Sequence, residues 1–318
     1  MGTDQTLSQR LMAMREALRR RRRRRIGWAL TGGAVAIGAA LLLWVRSPAP
    51  PVVQPWEGPL PPVSGVATGH DTYVPGWHLV WDDEFDNPHL TARLWNIQHL
   101  AYPYNNQLQF YRRQAVTVSG GALHITVSHA AYGGRPYTSG MLTTQGRFAF
   151  RYGMVVIRAR LPAGQGLFPA IWMLPVAQPP PLPEVDIMES IGRTPHHVYM
   201  TLHYLRNGAQ NNVGDYYAGP NFTTTFHTFA LLWSPHELVW EVDGVTRETI
   251  TSGVPRVRMY LILNVAVGGA FPGSPNSTDH WPQHFVVQYV RIYKSGSAPA
   301  IPGRGHRVAL PALAWARV

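Results

Sequence analysis

From about residue 77 the apolar positions fall in short runs that alternate with polar ones and break at turn residues. Nine runs carry the pattern: "WHLVW" (77–81), "AVTVSGGALHITVSH" (115–129), "GRFAFRYGMVVIRARL" (146–161), "EVDIMES" (184–190), "VYMTLHY" (198–204), "HTFALLWS" (227–234), "ELVWEVDG" (237–244), "VRMYLILNVAVGG" (257–269) and "FVVQYVRIY" (285–293). Period-two alternation marks strands with one buried face. No stretch in this region sustains a long helical period. The "SGG" at 119–121 and "VDG" at 242–244 predict hairpin turns. One all-β domain over residues 72–296 follows, built as a sandwich of two packed antiparallel sheets.

The pattern upstream is different. Residues 26–45 hold no charged side chain, and Arg19 to Arg25 stand directly before them. Twenty helical residues span roughly 30 Å, about one hydrocarbon core. The arginines predict a cytoplasmic tail (1–25), a transmembrane signal anchor (26–45) and an outward-facing remainder. A cleaved signal peptide, giving a secreted protein, is the alternative, but its apolar region would be shorter and "VRSPAP" is a poor cleavage site. Before the arginines, Leu7, Leu11, Met14 and Leu18 form one short apolar helical stripe. Residues 46–71 read as a stiff spacer, with eight prolines between positions 47 and 75. Residues 297–318 have no strand rhythm and read as a tail.

Charge and composition narrow the function classes. The net charge is +11, but residues 1–25 alone hold nine Arg against Asp4 and Glu16. From Ser47 onward there are 18 basic and 15 acidic residues, so the outer domain does not point to a nucleic-acid partner. With no Cys in the chain, disulfides, thiolate metal sites and cysteine nucleophiles are excluded. The 11 Trp, 14 Tyr and 10 Phe supply many flat side chains for a core and a lined groove.

The stretch "PEVDIMES" (183–190) places Glu184, Asp186 and Glu189 within an otherwise apolar strand. Simple alternation puts Glu184 and Asp186 on one face and sends Glu189 into the other sheet, where an unpaired carboxylate is costly. A β-bulge near Ile187 or Met188 returns Glu189 to the face of Glu184. Three acids on one wall cannot all ionise at neutral pH, so at least one pKa rises, as a general acid requires. Two carboxyls flanking a glycosidic bond are the machinery of glycoside hydrolysis, on the order of 5–6 Å apart in the retaining form.

The chain resembles glycoside hydrolase family 16 over about residues 77–294. The resemblance rests on an ordered set of blocks: "WHLVWDDEFD", "NNQLQFY", "YTSGMLTTQGRFAFRYG", "LPAGQGLFPAIWMLP", "PEVDIMESIG", "TLHY", "FHTFALLWSP", "WEVDG", "YLILNVAVGGAFPG" and "VVQYVRIY". The E-x-D-x-x-E spacing is similar to the laminarinase and lichenase-like branch. The resemblance implies a jelly roll with a concave cleft and a retaining mechanism. It implies Glu184 as nucleophile, Glu189 as acid/base and Asp186 between them. His203 matches a histidine near the acid/base, Asn105 a glycone-side sugar contact, and Trp172 the aromatic wall at the sugar next to the cut; Asn264 and Gln283 are further candidates for the cleft. Met141 stands where many relatives have Arg, and Phe168 and Phe271 where many have Trp. Relatives often hold a structural calcium with an acid of the "DEF" block and an Asp in the last strand. Here Glu84 is present but Gln288 occupies the Asp position, so no metal or other cofactor is expected. The expected activity is endo-hydrolysis of β-1,3 or mixed β-1,3/1,4 glucan by a monomer, with polysaccharide and membrane as partners. A transglycosylase remodelling a cell-envelope glycan and a β-glycan-binding protein with little turnover are the alternatives.

Overall fold

A computed structural model describes residue 74 and residues 76–101, 104–176 and 182–296. The tail, anchor and spacer read from residues 1–71, and the C-terminal tail, lie outside the described residues. Among the described residues no helix is long and apolar enough to cross a membrane. In chain order the first strands are β1 (Trp77–Asp83), β2 (Asn96–Ile97), β3 (Leu100–Ala101), β4 (Gln109–Tyr111), β5 (Val116–Ser119) and β6 (Ala122–Val127). Then come β7 (Tyr137–Ser139), β8 (Met141–Thr143), β9 (Gly153–Arg160), β10 (Leu167–Pro175), β11 (Glu184–Glu189) and β12 (His197–Arg206). The last are β13 (Ala209–Ala218), β14 (His227–Trp233), β15 (Leu238–Val242), β16 (Val245–Ile250), β17 (Met259–Val267) and β18 (Gln283–Ser295). One seven-residue helix, α1 (Pro88–Leu94), follows β1; Asn87 Oδ1 caps it by accepting from the His89 and Leu90 amides.

The strands form a sandwich. One sheet runs β16-β15-β14-β9-β18-β6-β5, with β1 beside the second half of β18. The other runs β13-β12-β11-β10-β17-β8-β2. A small third sheet, β3-β4-β7, contains a parallel pair, β4 with β7. The two large sheets are antiparallel throughout, as the alternation predicts. The long run 146–161 is a strand only from Gly153: Phe148 and Phe150 enter the core from the preceding turn segment. At Gly153 φ is +134°, and a Cβ would run into the Tyr293 carbonyl, so the chain needs glycine there.

The core lies between the sheets. Every residue of β17 is buried. Met259, Leu261, Leu263, Val265 and Val267 pack in the main core, whereas Tyr260 and Ile262 join Tyr111 and Met141 in a smaller cluster on the sheet's open face. Each fully buried aliphatic side chain contributes about 1.5–3 kcal/mol, so β17 anchors the second sheet from both sides. At the far edge, β13 is largely exposed. Its sequence shows no apolar alternation, because an edge strand with no fully buried residue needs none.

Candidate active site

The register of β11 shows how three acids share one face. Against β12, Glu184 pairs with His203, Val185 with Leu202 and Asp186 with Thr201, and then Glu189 with Tyr199. Against β10, Asp186 faces Trp172 and Met188 faces Ile171, so Ile187 is the extra residue of a bulge. Val185, Ile187 and Met188 all enter the main core. Glu184, Asp186 and Glu189 therefore point out of the open face. The expected bulge is present.

The bulge is held from behind. Trp240, fully buried on β15 of the opposite sheet, donates from Nε1 to the Asp186 carbonyl at 2.9 Å. An indole N–H thus satisfies a backbone acceptor of the acid-bearing strand across the core. Sequence reasoning passes over this residue; a tryptophan alternating in a strand reads as ordinary core.

On the open face, His203 Nε2 lies 3.1 Å from Asp186 Oδ2 and 3.9 Å from Glu184 Oε1. The Asp186 contact is close but without hydrogen-bond alignment, since that buried oxygen has no hydrogen-bond partner among the described residues. Burial, then the negative charge of Asp186, pushes Glu184 up to about 8, with His203 opposing the rise. Its side chain keeps 23% of its accessibility, so solvent still reaches it. Burial also raises Asp186. Glu189 is pushed well above the ordinary carboxylate range by burial first and by Asp186 second. His203 opposes the rise at Glu189 as well, so burial and Asp186 set the direction there.

The neighbouring strands build the wall. On β10, Trp172 donates from Nε1 to Asn264 Oδ1 at 2.8 Å, and Asn264 Nδ2 donates to the Tyr111 hydroxyl at 3.2 Å. This chain locks the Trp172 ring against Tyr111, Tyr260, Ile262 and Met141. Met141 faces Asn264 on β17. Asn105 sits in left-handed backbone at φ 54° in the loop over the end of β17, with its Oδ1 buried and without a hydrogen-bond partner among the described residues. An orphaned buried acceptor is costly unless a ligand or water supplies a donor. Phe168 and Phe271 meet edge to face at 5.5 Å beside Tyr199.

Gln283 is not brought to the acids. It opens β18 in the other large sheet, where its Oε1 accepts from the Ala163 amide and its Nε2 donates to the His280 carbonyl. Its amide ties two loops together, and a glutamine at a strand start carries no sequence sign of that role. Glu184, Asp186 and His203 are the one group among the described residues whose donor atoms cluster closely enough for a metal ion, within 4.8 Å of one another. The calcium set fits poorly: both Glu84 oxygens accept from Arg291 at 2.7 and 2.8 Å, and Gln288 Oε1 accepts from Arg158. A hard cation needs those anionic oxygens free.

Comparison with known proteins agrees with this geometry. The family profile described as "Glycosyl hydrolases family 16" matches residues 92–290. A beta-glucanase of Rhodothermus marinus is 38% identical over 250 residues, covering 70% of this chain and 86% of that protein. A glucan endo-1,3-beta-glucosidase of Cryptopygus antarcticus is 33% identical over 251 residues, covering 68% of this chain and 91% of its own. The laminarinase catalytic domain of Thermotoga maritima superposes with a TM-score of 0.63 at 33% identity, covering 70% of this chain and 99% of that one. With the acid-bearing bulged strand, the sandwich around it and these relatives all in agreement, the chain belongs to glycoside hydrolase family 16.

Proposed function

We propose that this protein is an endo-acting β-glucanase that cuts β-1,3 or mixed β-1,3/1,4 glucans with retention of configuration. The observation that carries the reading is the bulge at Ile187, which sets Glu184 and Glu189 on one face with Asp186 between them. Relatives named as a beta-glucanase and a glucan endo-1,3-beta-glucosidase support the substrate class.

In this mechanism Glu189 starts protonated, held so by burial and by Asp186. It gives its proton to the glycosidic oxygen as the Glu184 carboxylate attacks the anomeric carbon. The C–O bond to the leaving sugar breaks and a glycosyl ester forms on Glu184. Glu189, now a carboxylate, takes a proton from water as that water attacks the same carbon and releases Glu184. His203, facing both Asp186 and Glu184, offsets the negative charge at the nucleophile's end of the strand. Trp172, fixed through Asn264, walls the sugar that receives Glu184, and the unpartnered Asn105 Oδ1 accepts from a sugar hydroxyl on the same side.

The test is a screen of the purified protein on laminarin, lichenan, agarose, carrageenan and xyloglucan, with Glu184→Gln as control. Oligosaccharide release from the first two, as β-anomers at early times, is expected. Cleavage of galactans alone would refute the substrate class, and α-anomers the mechanism. We infer also, from sequence, that residues 26–45 hold the enzyme at the membrane with its catalytic domain outside. N-terminal sequencing of membrane-recovered protein checks this; a chain starting near Ser47 would show a cleaved signal.

A further inference from the structure

The register extends the row containing Glu189 in both directions across the sheet. Toward the interior strands, Glu189 faces Ala170 on β10, which faces Asn264 and then Met141. Toward the free edge it faces Tyr199 on β12, which faces Tyr216 on β13. The interior direction leads to Asn264, which anchors Trp172, and is walled with buried apolar side chains. The other direction leads in two steps to a strand with no further neighbour in its sheet.

Two tyrosines side by side on that edge are unusual in what they leave open. Tyr199 and Tyr216 have ring centroids 5.9 Å apart and tilted by 40°. His197 braces Tyr216 from one side at 4.9 Å, and Phe271 braces Tyr199 edge-on at 5.1 Å. Tyr216 nevertheless remains 42% exposed. Its neighbour Tyr217 shows the alternative: it packs against the main core, with Arg247 stacked over its ring at 3.8 Å. A ring held by its neighbours but left uncovered presents a preorganised flat surface, which costs little entropy to use.

We infer that Tyr199 and Tyr216 form a binding site for the leaving-group side of the glucan, taking the apolar C–H face of a β-linked glucosyl unit beyond the scissile bond. This rests on the assignment of Glu189 as acid/base and of Trp172 to the opposite side. The sugar chain crosses the strands, the anomeric carbon lies between Glu184 and Glu189, and the Trp172 side is taken. The reducing-end sugars then run over β12 and onto β13. An acceptor sugar resting there while the glycosyl ester waits on Glu184 stands where the incoming nucleophile must approach. Its hydroxyl, deprotonated by Glu189, attacks the anomeric carbon in place of water, forming a new glycosidic bond and freeing Glu184. The same site therefore governs both where long chains are cut and how often the intermediate is transferred to sugar.

The experiment compares wild type, Tyr216→Ala and Tyr216→Phe in the full-length protein on reducing-end-labelled β-1,3-gluco-oligosaccharides. Bond-cleavage frequencies and transfer products are read by mass spectrometry. Loss of one aromatic platform is expected to lower cleavage at bonds with two or more sugars on the reducing side by about 2- to 10-fold, relative to bonds with one. The ratio of transfer to hydrolysis at high substrate should fall with it, and Tyr216→Phe should keep both. A Tyr216→Ala enzyme with the wild-type cleavage pattern and transfer ratio, or one losing all bonds by the same factor, overturns the inference. Wild-type protein inert on every β-glucan would instead sink the functional reading beneath it.

Discussion

Replacing Trp240 with phenylalanine tests whether the acid-bearing bulge is held by the opposite sheet. The change keeps an aromatic ring on β15 but removes the N–H that reaches the Asp186 carbonyl at 2.9 Å. Leaving that buried acceptor unpaired costs about 1–3 kcal/mol. The smaller ring leaves a cavity worth roughly 1–2 kcal/mol more, because Trp240 is fully enclosed. For a domain of this size each kcal/mol moves the melting midpoint by about 2–4 °C, so a fall of roughly 4–20 °C is expected. Stability alone would not show a role in geometry. Loosening the bulge displaces Glu189 more than Glu184, since the extra residue lies between Asp186 and Glu189. The general acid matters for a polysaccharide with a poor leaving group and little for an aryl glucoside whose phenolate leaves unaided. Thermal denaturation is therefore paired with kcat on laminarin and on a dinitrophenyl β-glucoside. The laminarin rate should fall at least about 10-fold further than the aryl rate, within the range general acids contribute. An unchanged midpoint, or two rates that fall together, would refute the argument.

Three other outcomes are expected. Glu184→Gln should abolish turnover of both substrates, whereas Glu189→Gln should spare the first step for the aryl glucoside, seen as a burst of dinitrophenol ahead of slow deglycosylation. The native state holds Glu189 protonated well above the ordinary 4.5, so in the window above that value it retains a proton the unfolded chain has released. Stability therefore falls as pH rises through this window, and Glu189→Gln should flatten the slope of melting midpoint against pH. Calcium at micromolar to millimolar levels should leave the midpoint unchanged, since Arg291 already takes both oxygens of Glu84; a clear rise would overturn this.

The parts of this protein that could be read in advance are those where one residue's surroundings are set by its own strand. Alternation identifies β15, with one face against the core, and an unbroken apolar run identifies β17, covered on both faces. The bulge could be inferred because the cost of burying Glu189 leaves the strand no regular alternative. Contacts made across the sandwich were not readable. Nothing in "LVWEVDG" tells that Trp240 reaches Asp186, and nothing in "NNQLQFY" tells that Tyr111 steadies Asn264. The partners of Gln283 were unreadable for the same reason, lying in loops about 120 residues upstream and three residues upstream. The edge strand β13 carries no periodic mark, so nothing in the sequence sets Tyr216 beside Tyr199.

The hairpin of β12 and β13 has a bearing on how such an enzyme can diverge. Trp172 is bonded to Asn264, and Asn264 to a buried Tyr111, so altering that half of the cleft disturbs the floor beneath it. The outer half rests on an edge strand with one described partner in its sheet and no fully buried residue, joined to that partner by an Asn207–Gly208 turn. Substitutions at its exposed positions, such as Val213 and Tyr216, and length changes in the turn touch little of the core and cost little stability. Descendants of this chain are therefore free to try new leaving-side partners, or a new balance between water and sugar, while the acids and the wall behind them stay as they are.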